Sequence, residues 1–334
     1  MSSQYKVLVT DCTWSIEPEQ QVLAEIGAEV ILAESGPGES LDRLVPQVDG
    51  ILTDQYPITS DLINAAERCK AIARYGVGFE KVDLDAATAA GIVVTNVPAY
   101  CVDEVTDHAM ALLLACARKI PIFDRGIKGG NWDRNLGPPM RRIRGKTVGI
   151  IGFGRIGRLI VPKAKSFGLE VIVFDEYIPQ TVVESEGATQ VGFPELLARS
   201  DFITIHAPLT SETQNLLGEH EFQQMKPTCY VINSARGGII NTIALHKALC
   251  EGWIAGAALD VLPEEPPNAD EPLLALDNII LTPHVAFLSE ESGYDLQVLA
   301  AQEMVRVLSG QMPGSVVNPD VLKSHALRAK ELSK

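Results

Sequence analysis

Apolar residues along this chain fall into short β-rich runs with helical segments between them. The first series is "YKVLVT", "AEVILAE", "GILTD", "CKAIARYG" and "GIVVTNV". The second is "TVGIIG", "EVIVFD", "FITIHAPL", "CYVINSA", "IAGAALDV" and "NIILTPH". Such alternation predicts parallel sheets covered by helices, an α/β protein with two open sheets. Ligands in sheets of that kind bind beyond the carboxyl ends of the strands, so the loops that follow these runs are where chemistry is expected.

Two helices stand out. The segment from Asp103 to Ile120, "DEVTDHAMALLLACARKI", opens on a capping aspartate and further acids and closes on Arg118 and Lys119, matching the helix dipole. Its "AMALLLACA" centre is apolar nearly all round, which predicts burial on several sides. The segment from Ser289 to Leu308 reads as a long helix with acids early and Gly310 as its stop.

Composition narrows the class. A chain of 334 residues is too long for one ordinary core, and about two domains are expected. With 46% hydrophobic and 21% charged residues it is globular, not disordered or fibrous. The net charge of −15 argues against a general nucleic-acid or anionic-membrane binder. The strongest basic run, "MRRIRGK" at 140–146, sits directly before an expected strand and reads as a solvated linker. Six cysteines without a CxxC pair or metal-ligand spacing point to reduced thiols, a cytoplasmic protein and no metal. The start, "MSSQYKVLVTD", enters a strand pattern without a leader-like apolar core, and no run approaches membrane-spanning length.

The candidate chemistry begins at "GKTVGIIGFGRIGRLIVPKAKSFGLEVIVFDEY", residues 145–177, where Gly152, Gly154 and Gly157 have G-x-G-x-x-G spacing. Glycines commonly punctuate strand-to-helix turns, so the triplet alone is weak. Here it closes an apolar strand and opens a helix, and a second strand follows that ends in Asp175, 18 residues after Gly157. In that order Gly152 permits the turn, Gly154 lets a pyrophosphate approach the backbone, and Gly157 lets helix and strand pack closely. Asp175 is placed for the ribose hydroxyls, and with Glu176 beside it a 2′-phosphate is repelled, so NAD is expected in preference to NADP.

Three further stretches end strands. "INSARGGIIN" presents Arg236, whose planar guanidinium suits a carboxylate and a carbonyl oxygen, although position alone favours a surface arginine. "AALDVLPEEPP" presents Asp260, then Glu264 and Glu265, otherwise an ordinary solvated loop. "IILTPHVAF" presents His284. A lone histidine is more often structural, and His108, His206, His220, His246 and His325 carry no comparable signal. What raises His284 is that a base, an acid and an imidazole each end a strand of one sheet and so converge on one crevice, as hydride transfer requires.

In this order "GFGRIGR…D", "NSARGG", "ALDVLPEEPP" and "LTPHVAF" resemble the D-isomer-specific 2-hydroxyacid dehydrogenases, over roughly Val7 to Asn318. The resemblance implies a Rossmann dinucleotide-binding domain, residues 103–287, inserted into a flavodoxin-like substrate domain built from 1–102 and 288–334. It implies Arg236 on the substrate carboxylate and carbonyl, His284 as general acid/base, and Glu265, the acid before proline in "DVxxxEP", paired with His284. A carboxylate beside an imidazole favours its charged, proton-donating form. It implies Asp260 at the nicotinamide carboxamide, the N–H groups of Arg155 and Ile156 on the pyrophosphate, and "HAPLT" (His206, Ala207 and Pro208 foremost) on the adenosine side. Thr213, Ser234 and Ala235, with Arg236 and His284, complete the cofactor set. Val77 and Gly78 of "RYGVGFEKVD" are implied to grip the substrate carboxylate with backbone amides; read alone, that loop is as well explained by a plain turn. A homodimer packed through the cofactor lobes is also implied.

Departures narrow the substrate. Phosphite-oxidising relatives carry lysine in the substrate loop, where this chain has Val77, and formate dehydrogenases pair their histidine with glutamine, where it has Glu265. "NVPAYCVDEVTDHA" and "TPHVAFLSEES" look like the branch of C-terminal-binding protein corepressors and their bacterial relatives, with Phe287 in place of a tryptophan. Phe287 either packs on a substrate side chain or fills an interface. The serine-pathway enzymes in their long regulated form are not expected, while a short phosphoglycerate dehydrogenase stays among the readings left open. The main reading is an NAD-dependent enzyme interconverting a D-2-hydroxyacid and its 2-oxoacid. The alternatives are an NAD(H)-sensing interaction protein and a dehydrogenase of the same fold acting on another substrate such as an oxyanion.

Overall fold

Every run of the first series forms a strand: β1 (Tyr5–Val9), β2 (Ala28–Leu32), β3 (Gly50–Thr53), β4 (Ala71–Arg74) and β5 (Val93–Thr95), linked by helices α1 (Glu17–Leu23), α2 (Glu39–Leu44), α3 (Ser60–Ala65) and α4 (Leu84–Ala89). All pairings are parallel and the order is β2-β1-β3-β4-β5, a flavodoxin-like arrangement. The computed structural model describes residues 4–12, 14–33, 39–137, 139–329 and 332. By its contacts the chain forms two units, Met1–Tyr100 with Ser289–Lys334, and Cys101–Leu288.

Strand residues of the first unit alternate between two cores. Val7, Val9, Leu52 and Ala73 fall in one, and Leu8, Ile51, Ile72 and Val94 in the other. That is the period-two consequence of a pleat covered on both faces, which is why the runs are mostly apolar.

The second unit begins with α5 (Val102–Arg118) and α6 (Ile120–Lys128). It continues through β6 (Thr147–Ile151), α7 (Arg155–Ser166), β7 (Glu170–Phe174), α8 (Gln180–Ser185), β8 (Thr189–Gln190), α9 (Phe193–Arg199) and β9 (Phe202–Ile205). The rest is α10 (Glu219–Gln224), β10 (Tyr230–Asn233), α11 (Thr242–Cys250), β11 (Gly256–Leu259) and β12 (Ile279–Leu281); α12 (Glu290–Leu308) returns to the first unit. The seven strands run parallel in the order β12-β11-β10-β9-β6-β7-β8. From β6 the chain builds outward to β8, then crosses back to β9 and builds the other way, so the direction reverses between β6 and β9. This is Rossmann topology, and the reversal leaves a crevice at the carboxyl ends of those two strands.

Two local expectations are corrected, and one strand had no signal in the sequence. The 102–118 helix takes Cys101, not Asp103, as its N-cap and has no side-chain cap; Asp103 and Glu104 lie in its first turn, where they act on the dipole. It stops at Arg118, because Pro121 lacks the N–H that the helix needs and its ring crowds the preceding turn; Lys119 turns left-handed at φ 59° and α6 starts afresh. β8 has only two residues, too short to show a period in the sequence. The helix after Ser289 is as expected, with a capping box at Ser289 and Gly310 at φ 76° beyond its end.

Candidate active site

The glycine turn supplies one half of the site. β6 ends at Ile151, and Gly152 reverses the chain at φ 89°. A Cβ there would stand 2.6 Å from the amide nitrogen of Ala207, so this turn is pressed against the loop that follows β9. A Cβ on Gly157 would stand 2.3 Å from the carbonyl oxygen of Gly152, so only glycine lets α7 lie this close to its own entry turn. Gly154, the N-cap of α7, has no atom within 4 Å of its Cβ position and faces open space. Arg155 and Ile156 follow in the first turn of α7, whose N–H groups a helix cannot satisfy from within. Open space over a glycine, beside such donors, fits a phosphate group.

Asp175 follows β7 and reaches back to the same turn. Its Oδ2 accepts from the N–H of Phe153 at 2.7 Å, and Oδ1 accepts from the N–H of Tyr177 at 2.9 Å and of Ile178 at 3.0 Å. Three of about four acceptor positions on the carboxylate are thus used within the chain, which leaves capacity for a hydroxyl.

The loop after β9 holds His206, Ala207, Pro208 and Thr213. Thr213 Oγ1 donates to the Pro208 carbonyl at 2.6 Å and accepts from the Thr210 N–H at 2.8 Å, closing the turn. His206 Nε2 lies 2.9 Å from Thr204 Oγ1, while Nδ1 is buried with no partner in the chain. Burial pushes its pKa down to about 3, so the imidazole is neutral at physiological pH. Ser234 Oγ, in the loop after β10, is likewise buried without a partner. Two buried polar atoms without a partner beyond the carboxyl ends of adjacent strands suit hydrogen bonding to a polar ligand.

The other half of the site lies beyond β10, β11 and β12. Asn233 shapes the turn that carries Ala235 and Arg236: its Nδ2 donates to the Arg236 carbonyl at 2.9 Å and its Oδ1 accepts from the Ala235 N–H at 3.0 Å. Arg236 Nη1 donates to the Ala235 carbonyl at 2.8 Å. A Cβ on Gly237 would stand 2.0 Å from the carbonyl carbon of Leu262, so this turn packs directly on the loop bearing Glu265. Glu265 Oε1 accepts from the Leu262 N–H at 3.0 Å, and Oε2 lies 2.6 Å from His284 Nδ1. Partial burial raises the pKa of Glu265, but the hydrogen bond and charge of His284, the Leu262 N–H and the nearby Arg236 outweigh it and hold it below the usual carboxylate value. Phe287 meets the His284 ring edge to face, with centroids 6.2 Å apart.

Asp260 lies beneath the loop that carries His284. Its side chain has no exposed surface. Oδ1 accepts from Thr282 Oγ1 at 2.5 Å and from the Val285 N–H at 3.0 Å, and Oδ2 accepts from the Ala286 N–H at 2.9 Å. The carboxylate holds the loop that carries His284 instead of facing outward.

Val77 and Gly78 belong to the other unit, where their loop follows β4. Asn96 Nδ2 donates to the Val77 carbonyl at 2.6 Å, and the Val97 N–H donates to the Gly76 carbonyl at 2.9 Å. Val77 is exposed and Gly78 buried.

A cavity of about 320 Å³ opens at the opposite edge of the second sheet, lined by Lys119, Arg141, Arg142, Lys146, Asp201 and Tyr230 among others. It touches the amino ends of β9 and β10, away from every residue above, so concavity alone does not mark the site. The "MRRIRGK" run, mostly exposed, contributes part of its wall. Among the described residues no group of His, Cys, Asp and Glu is arranged to hold a metal ion, and no helix is long and apolar enough to cross a membrane.

Residues 110–286 match the family described as the D-isomer specific 2-hydroxyacid dehydrogenase, NAD binding domain. The chain is 42% identical over 315 residues to a D-3-phosphoglycerate dehydrogenase of Methanocaldococcus jannaschii, a match covering 94% of this chain and 59% of that one. It therefore spans little more than half the length of that relative. It is 41% identical to a glyoxylate reductase of Thermococcus litoralis, with 84% of this chain and 86% of that one covered. In structure it is similar to a D-lactate dehydrogenase from Aquifex aeolicus complexed with NAD and lactic acid, at TM-score 0.83, 27% identity, and coverage of 93% and 99%.

Proposed function

The chain belongs to the D-isomer specific 2-hydroxyacid dehydrogenases and carries their NAD-binding domain, and from this we propose that it interconverts a D-2-hydroxyacid and its 2-oxoacid. The observation that carries the reading is the 2.6 Å contact of His284 Nδ1 with Glu265, beside Arg236 and at the same sheet edge as the glycine turn.

NADH, when bound, supplies the hydride that reduces the carbonyl carbon. The chain's own groups do the rest. Arg236 offers a guanidinium to the carboxylate and carbonyl oxygen of the oxoacid, fixing its orientation. Glu265 occupies His284 Nδ1, so Nε2 is the nitrogen left to give a proton to the carbonyl oxygen, and in reverse to accept one from the hydroxyl. Asp175, with Glu176 beside it, favours NAD over NADP. Val77 and Gly78 are assigned to the substrate carboxylate, supported by their position in the loop after β4. Phe287, in edge contact with His284, is assigned to the wall next to the reacting group.

The substrate class is that of small 2-oxoacids, supported by the glyoxylate reductase, D-lactate dehydrogenase and phosphoglycerate dehydrogenase relatives. Homodimerisation is supported by the apolar side chains that the second unit exposes along and beyond α6: Ile120, Ile127, Met140 and Trp132, the last 88% exposed. Residence in the cytoplasm is supported by six free thiols.

The test is NADH oxidation by the purified protein against glyoxylate, hydroxypyruvate, pyruvate, phenylpyruvate, 2-oxoglutarate and phosphohydroxypyruvate. Turnover of one of them, abolished in His284→Asn with NADH binding retained, supports the reading. Tight NADH binding without turnover across the panel moves it to a sensor of the NADH state.

A further inference from the structure

We propose that His108, acting through Thr282 and Asp260, is a positioning residue for the His284 imidazole; this rests on the reading of His284 as the proton donor. His108 lies in α5, far from the site in sequence, yet its Nε2 is 3.1 Å from Thr282 Oγ1 and 3.5 Å from Asp260 Oδ1. The Thr282 hydroxyl has one proton and donates it to Asp260 Oδ1 at 2.5 Å. Toward His108 that hydroxyl is therefore an acceptor, and Nε2 of His108 carries the hydrogen.

The three residues bracket a strained piece of backbone. His284 has φ 52°, in the left-handed region although it is not glycine. Such a conformation is strained and persists only where its surroundings over-determine it. Here they do: the His284 N–H donates to the carbonyls of Asp260 at 2.8 Å and Thr282 at 3.0 Å, and the next two N–H groups donate to the Asp260 carboxylate. That carboxylate is fully buried, and charge on a buried acid needs donors on every side. The Thr282 hydroxyl is one of them, and His108 holds that hydroxyl in place. Removing either loosens the clamp on residues 282–286, and His284 drifts from Glu265. Thr282 stands between His108 and Asp260, so both side chains act through the loop that Asp260 holds.

The test uses Thr282→Val, Thr282→Ser, His108→Leu and the double variant Thr282→Val/His108→Leu in the full chain. Two readouts are taken: kcat and KM with the best oxoacid, and the His284 Nδ1–H resonance in histidine-labelled protein without substrate, assigned by its loss in His284→Asn. Thr282→Val and His108→Leu are each expected to lower kcat about 10- to 100-fold with KM and the NADH dissociation constant within about twofold. The resonance should broaden or shift in both, Thr282→Ser should restore both readouts, and the double variant should lose little more than either single one. An unmoved resonance and kcat in His108→Leu, or equal losses in Thr282→Ser and Thr282→Val, overturns the proposal. If the unaltered protein reduces no oxoacid, the dehydrogenase reading falls, while the resonance still decides whether His108 positions His284.

Discussion

His284 Nδ1 and Glu265 Oε2 are 2.6 Å apart, and the contact decides which ring nitrogen is left for chemistry. Glu265 is itself fixed, because its second oxygen accepts from the Leu262 N–H and its pKa is held low by His284 and Arg236 against the opposing effect of burial. An anion so placed fixes the orientation of the His284 ring and leaves Nε2 unclaimed by Glu265.

Glu265→Gln keeps the shape and removes the charge. Oxoacid reduction is expected to fall about 10- to 100-fold at pH 7, the usual reach of a general acid. Steady-state kcat and KM with the best oxoacid check this, and an unchanged kcat would remove Glu265 from the proton-transfer pair.

The two sheets, the glycine turn and the strand-end residues Arg236, Glu265 and His284 were legible because their signals are local: a strand run, a turn residue, then a functional group within a few positions. The clamp was not. His108 lies 174 residues before Thr282, and nothing near it in sequence marks it apart from other helix-face histidines. Asn233 is fully buried and ties the Arg236 turn, yet an asparagine ending a strand looks like any turn former. The sequence shows Asp260 at a strand end, but no spacing encodes the folding of residues 282–286 over its carboxylate.

The glycines separate folding from binding. Gly154→Ala adds a methyl to open space at an ordinary φ of −73°, so stability should change by no more than about 0.5 kcal/mol. The methyl then stands where a pyrophosphate approaches the backbone, and NADH affinity should fall at least about tenfold. Gly157→Ala drives a Cβ to 2.3 Å from the Gly152 carbonyl oxygen and should cost about 1–3 kcal/mol of folding stability. Urea unfolding and NADH fluorescence titration on both variants read the two effects. Undiminished NADH binding by Gly154→Ala would remove the phosphate from this turn.

Asp175 holds the glycine turn as well as being proposed to meet the cofactor ribose, so its variants need care. Asp175→Asn keeps one acceptor oxygen for the N–H groups of residues 153, 177 and 178 while removing the negative charge. The ratio of kcat/KM with NADH to that with NADPH is expected to fall about tenfold or more, since a 2′-phosphate no longer meets that carboxylate. An unaltered ratio would place cofactor discrimination elsewhere, with Glu176 the next residue to change.

His206 gives a prediction about stability that needs no substrate. Burial lowers its pKa from 6.5 to about 3, so between those values the unfolded chain binds a proton that the folded chain refuses. Stability therefore carries no penalty from this group above about pH 6.5 and declines as the pH falls below it, by about 1.4 kcal/mol at pH 5.5 and by roughly that much again for each further unit until about pH 3. His206→Gln removes the titration while keeping a polar side chain of similar length beside Thr204. Urea unfolding at pH 7.5 and pH 5.5 should show the unaltered protein losing about 1.4 kcal/mol more than the variant over that interval, other histidines cancelling in the difference. Equal losses in the two proteins would mean that the ring gains a proton without unfolding, and that the loop after β9 opens to water where the structure shows Nδ1 enclosed.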